Sequence, residues 1–184
     1  MPLRLATIAL VALTFGQPGF APQNPLTNPV PALTVRIELN AFTAKLQSYV
    51  DFCDRYAKAQ YKVDCLSERL TVAAASLGNY GWQREVKWTL RATARNLYAV
   101  TTKYADPGAA AITLRGQGTP IVSSRPVRAV APQNQTRANA AASTVIEEAE
   151  LTLLRSADTS PANALAFAQV AAIVGSAKVL LRAA

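Results

Sequence analysis

The segment DFCDRYAKAQYKVDCLSERL, residues 51–70, decides the fold, because it holds both cysteines of the chain, Cys53 and Cys65. Upstream, apolar residues stand at Val35, Leu39, Phe42, Leu46, Tyr49, Cys53 and Tyr56, alternating steps of four and three that mark the seam of one long helix. Arg36, Lys45, Asp51, Asp54 and Arg55 fall off that seam, as solvated positions should. The helix is expected to stop near residues 58–62. Downstream, Leu66, Leu70, Ala73 and Leu77 form one stripe of a second helix, with Asp64 as its expected N-cap and Gly78-Asn79 as its end. Cys53 therefore faces inward near the end of one helix and Cys65 opens the next. The reading is a helical hairpin closed at its corner by a Cys53–Cys65 disulfide. In the chain-entropy account, closing a loop of this size stabilises by about 3 kcal/mol. The spacing is not the C-x-x-C of redox chemistry, and two thiols without any histidine are too few to hold a metal.

A disulfide needs an oxidising compartment, and the N-terminus is consistent with one. Arg4 precedes the apolar run LATIALVALTF, residues 5–15, with small residues after it. Residues 1–21 thus read as a secretory signal cut between 16 and 21, the alternative being an uncleaved anchor. Eleven apolar residues are too few to span a bilayer as a helix. No cysteine follows the run to carry a lipid. The stretch 17–31 holds five prolines and no charge, so residues 22–32 read as a linker. The expected location is periplasmic or extracellular, with a bacterial envelope the natural setting.

Residues 33–184 then form a single domain. At 100° per residue, a helix over 82–104 puts Trp82, Val86, Leu90, Leu97, Val100 and Tyr104 on one face. Arg84, Lys87, Trp88, Arg91, Arg95 and Tyr98 fall on the other. Asp106-Pro107-Gly108 ends it. Residues 107–134 have no helical period, and a connection this long is either functional or poorly ordered. Within it, 121–131 alternates enough for a short extended segment lying over the bundle. Gly116-Gln117-Gly118 lacks the following Gly-Lys-Ser/Thr of a phosphate loop. A helix over 136–156 turns Ala142, Val145, Ile146, Ala149 and Leu153 inward and leaves Leu151 and Leu154 on a second apolar side. Two apolar sides suggest a central helix or a contact with another subunit. Ser160-Pro161 opens the last helix, apolar nearly all round. With Asn163, Gln169, Gly175 and Ser176 interrupting it, it reads as a buried central helix rather than a membrane span. The fold class is all-α, a bundle of four to five helices.

Composition closes several chemistries. The chain has no histidine, which removes Ser-His-Asp and Cys-His nucleophile activation and the histidine ligands of haem and di-iron sites. Met1 is the sole methionine, which removes a methionine-rich copper site. No metal or cofactor is expected, and the protein reads as non-enzymatic. Its net charge of +8 is concentrated in residues 82–137, which carry nine bases against two acids. Four cations on one side of the third helix repel one another unless an anion lies over them, and an outward tryptophan suits a binding surface. Arg84, Lys87, Trp88, Arg91, Arg95 and Tyr98 are therefore the candidate surface for an anionic partner, either lipid headgroups or an acidic envelope protein or polymer. Nucleic acid fits the charge but not the compartment. The competing reading of this face is that residues 109–133, or the acidic patch at Glu147–Glu150, cover it. Two alternative functions stand beside it. One is self-assembly through Leu151 and Leu154. The other is a metal- or acid-dependent activity at Glu147 and Glu150, three apart on one helix side.

Overall fold

The computed structural model describes residues 32–183. The signal-like run and the proline-rich stretch 17–31 lie outside the described residues. Five α-helices are present among them: α1 (Ala32–Tyr56), α2 (Lys62–Ala75), α3 (Gly81–Lys103), α4 (Gln135–Thr159) and α5 (Ala164–Arg182). Single 3-10 turns precede α2, α4 and α5. The helices pack as a bundle, in agreement with the expected class. The heptad seam of α1 faces inward: Leu39, Phe42, Leu46, Tyr49 and Cys53 are all buried. Cys53 and Cys65 form the disulfide, with Cα atoms 5.7 Å apart and both residues fully buried. It ties the end of α1 to the start of α2.

Helices α2 and α3 form one antiparallel hairpin and α4 and α5 another, with α1 against α2 and α5, and α3 against α4. The α4–α5 pairing is close because alanine supplies it. Ala138, Ala142 and Ala149 are buried on α4, and Ala166, Ala171 and Ala177 on α5. At Gly175 a Cβ would stand 2.6 Å from the Glu150 carboxylate, so glycine is what lets that side chain cross to Lys178.

Three sequence expectations need correction. Asp64 is not the N-cap of α2. The helix begins at Lys62 after the 3-10 turn, and Asp64 is a fully buried first-turn residue whose carboxylate is spent elsewhere. The helix also ends at Ala75, short of Gly78-Asn79; the positive-φ glycine of the following turn is Gly81, at φ 49°. Finally, the central helix is α2, not α5. Residues 61–70 are buried without exception, charges included. By contrast, α5 leaves Leu165, Ala168, Ala172, Ser176 and Val179 exposed along one stripe. Apolar composition pointed to the wrong helix because α2 buries its charges in pairs, which restores its place in the core. The segment Pro161–Arg182 is long and apolar enough to cross a membrane by composition, and half of it is buried in the bundle.

Candidate anionic-partner surface and its strap

The position of α3 is set at its first turn. Tyr80 is extended, Gly81 takes the positive φ, and Trp82 buries against Phe42 with ring centroids 5.8 Å apart. The Gln83 side chain accepts a hydrogen bond from the Gly78 N–H at 2.6 Å and donates to Glu38 at 3.0 Å, joining turn, α3 and α1. From there the helical period does the rest. Trp82, Val86, Leu90, Ala94 and Leu97 go inward, while Arg84, Trp88, Arg91 and Arg95 are exposed. Among the described residues none of these three arginines has a carboxylate within ion-pair distance. Trp88 is 59% exposed and overhangs a shallow groove of about 300 Å³ shared with Val145, Glu148 and Thr152 of α4.

The other two expected members of this face are engaged. Lys87 is half-buried, and its ammonium donates to the Leu77 carbonyl and the Asn79 side chain, each at 2.9 Å. It thus satisfies a carbonyl just past the C-terminus of α2, where a cation is favoured. Tyr98 lies beneath two guanidinium groups, Arg125 at 5.1 Å and Arg128 at 5.2 Å from its ring centroid. The acidic patch on α4 is split rather than shared. Glu150 pairs with Lys178 of α5, Glu147 is exposed, and Glu148 faces the Trp88 groove. No group of three metal-capable side chains occurs among the described residues.

Arg125 and Arg128 come from the α3–α4 connection, which is an ordered strap. It folds back on itself as an irregular hairpin, with antiparallel bridges Ala105–Val130, Ile112–Val127 and Arg115–Val122. The expected extended segment at 121–131 is its return arm. Leu114, Val127, Ala129 and Val130 are buried against the bundle. Tyr61 and Tyr56 donate hydroxyl hydrogen bonds to its carbonyls at Ala110 and Gln117.

Its main anchors are the charges of α2. Arg125 grips the Asp64 carboxylate with both terminal nitrogens at 2.7 Å, and the Arg128 N–H donates to the same carboxylate at 2.7 Å. One turn on, Glu68 pairs with Arg69 and accepts from the Ser124 N–H and hydroxyl at 2.8 and 2.6 Å. Arg69 completes the ring by donating to the Val122 carbonyl while lying over the Tyr49 and Phe52 rings. Burial pushes the Glu68 carboxyl up. Hydrogen bonds from Arg69 and Ser124, with the Arg69 charge, outweigh burial and hold it below the ordinary carboxylate range.

Sequence reasoning missed this anchor, although a signal existed. Residues 109–133 carry three arginines and no acid, so those cations need carboxylates from elsewhere. Helix α2 has apolar residues on every side, which leaves Asp64, Glu68 and Arg69 no solvent face. No protein-family model, curated protein or solved structure matches the chain.

Proposed function

We propose that this is an exported, non-enzymatic bundle protein of the cell envelope that binds an anionic partner through the outer face of α3. The carrying observation is the exposed Trp88 flanked by Arg84, Arg91 and Arg95, three cations with no carboxylate within ion-pair distance among the described residues. Such a face is electrostatically costly to hold bare, and an anionic surface relieves it. Trp88 supplies an apolar, cation–π-capable anchor at its centre. The working surface is smaller than the six residues read from the sequence, because Lys87 and Tyr98 act within the fold. The test is co-sedimentation with phosphatidylglycerol and phosphatidylcholine vesicles at low and high salt, for the wild type and Arg84→Gln/Arg91→Gln/Trp88→Ala, with circular dichroism confirming the fold. Binding to anionic vesicles alone, weakened by salt and lost in the variant, is the expected result. Equal binding by the variant overturns the reading.

Self-association is the second reading, favoured by Leu151 and Leu154, which are 44% and 40% exposed on α4. A concentration-dependent mass that Leu151→Glu/Leu154→Glu abolishes would establish it.

A further inference from the structure

Beyond the open face of α3, a cleft of about 320 Å³ lies between α2, α3 and the strap, lined by Ser67, Thr71, Ala94, Arg95, Tyr98 and Arg125. Its volume sits at the small end of the range for ligand sites. The charges around it do not balance. Four arginines (69, 95, 125 and 128) surround this corner of the molecule, against two carboxylates, Asp64 and Glu68. Asp64 answers Arg125 and Glu68 answers Arg69, each carboxylate fully buried. Arg95, on the cleft wall, and Arg128, over the Tyr98 ring, have no acidic partner among the described residues. Arg95 lines the cavity itself, and Arg128 stands behind its wall, 5.2 Å from the Tyr98 ring centroid, so this corner keeps two positive charges with no carboxylate to answer them.

The donors on offer are equally specific. The Ser67 and Thr71 hydroxyls are committed to the backbone carbonyls of Ala94 and Ser67. Arg125 Nη1 is spent on Asp64 and the Pro126 carbonyl, so what remains for a ligand is the guanidinium of Arg95, the Nε–H and second Nη2–H of Arg125, and the Tyr98 hydroxyl. Arg125 is held bidentately by a buried carboxylate, so its position is fixed before anything binds and little ordering is left to oppose binding.

We infer that this cleft is a binding site for a phosphate monoester, a compact dianion whose charge matches the two unanswered arginines and whose oxygens match the guanidinium forks. A carboxylate or a phosphodiester carries one charge and leaves one arginine unanswered. The same phosphate chemistry could reach the cleft from a soluble metabolite or from a monoester lipid headgroup. The site lies beside the α3 surface proposed above and shares only Arg95 with it.

The experiment is calorimetric titration of the folded protein with inorganic phosphate, with sodium acetate as monoanion control at matched ionic strength. Variants Arg95→Gln and Arg84→Gln/Arg91→Gln are compared, their folds checked by circular dichroism. Saturable phosphate binding that Arg95→Gln weakens about tenfold or more, and that Arg84→Gln/Arg91→Gln leaves intact, is expected. Vesicles of phosphatidic acid and of phosphatidylglycerol then separate the sources. A preference for phosphatidic acid that depends on Arg95 assigns the headgroup, and no preference assigns the soluble phosphate. An equal response to acetate, no saturation by about 10 mM phosphate, or an unchanged response in Arg95→Gln overturns the site. Because Arg84→Gln/Arg91→Gln tests the outer face and Arg95→Gln the cleft, failure of one reading is distinguishable from failure of the other.

Discussion

Replacing Arg125 with methionine should release the strap. Asp64 is fully buried and accepts three hydrogen bonds at 2.7 Å, two of them from Arg125. Methionine keeps the length and apolar stem but removes the countercharge. Stranding a buried carboxylate in this way costs about 3–5 kcal/mol in general. Here the Arg125 side chain is 35% exposed, so water can approach the vacated place, and the Arg128 N–H stays on Asp64. That discounts the cost to the bottom of the range or just below it, about 2–3 kcal/mol. For a domain of this size that is a fall in Tm of about 4–12 °C. The measurement is urea unfolding of wild type, Arg125→Met, Asp64→Asn and the double variant. The single costs should exceed what additivity allows in the double variant, with a coupling of about 1–3 kcal/mol. Trypsin gives a local readout, since Arg115 and Arg128 lie in the strap: cleavage there should accelerate in Arg125→Met before global unfolding does. Additive costs, or an Arg125→Met cost below about 0.5 kcal/mol, would refute the claim that this pair holds the strap.

Three further outcomes are expected. Cys53→Ser/Cys65→Ser should fold but lose about 3 kcal/mol, read as a lower urea midpoint, since the bridge closes a short loop. Glu68, with its folded-state pKa below the unfolded value, contributes stability that is present above about pH 4.5 and is lost as pH falls through the folded value. Glu68→Gln should therefore be less stable than wild type at neutral pH, with the gap in Tm narrowing below about pH 4.5. Gln169→Leu should raise Tm, because the Gln169 Oε1 is buried without a hydrogen-bond partner among the described residues; relief of that group is worth about 1 kcal/mol.

Much of the architecture was legible because it is written in local periods. The heptad seam of α1, the inner face of α3 and the inward alanines of α4 each repeat within their own helix; the structure buries the seam from Leu39 to Cys53, Trp82 to Leu97 of α3 and both alanines, and leaves Val35, Tyr56, Val100 and Tyr104 half-buried at the ends. The Cys53–Cys65 bridge was legible from two cysteines, no histidine and a spacing that sets one at each side of a helix corner. What escaped was everything set by pairs distant in sequence. The contacts Asp64–Arg125 and Glu68–Ser124 span 61 and 56 positions, and no helical period encodes them. For the same reason Lys87 read as a surface cation, when its ammonium closes the end of the neighbouring helix. Of the six residues read as one face, Arg84, Trp88, Arg91 and Arg95 stand exposed, the three arginines without an ion-pair partner among the described residues, while Tyr98 belongs with the strap.

The separation of α2 from its ionic partners also bears on synthesis. The chain emerges N-terminus first, so α1, α2 and α3 leave the ribosome before residues 124–128 exist outside it. Until then Asp64 has neither the Arg125 fork nor the Arg128 N–H, and Glu68 lacks Ser124. A nascent chain truncated before Ser124 would keep the carboxylates of α2 turned toward water, which opposes early burial of that helix. The helix at the centre, made second, is then seated only when the strap arrives to neutralise it.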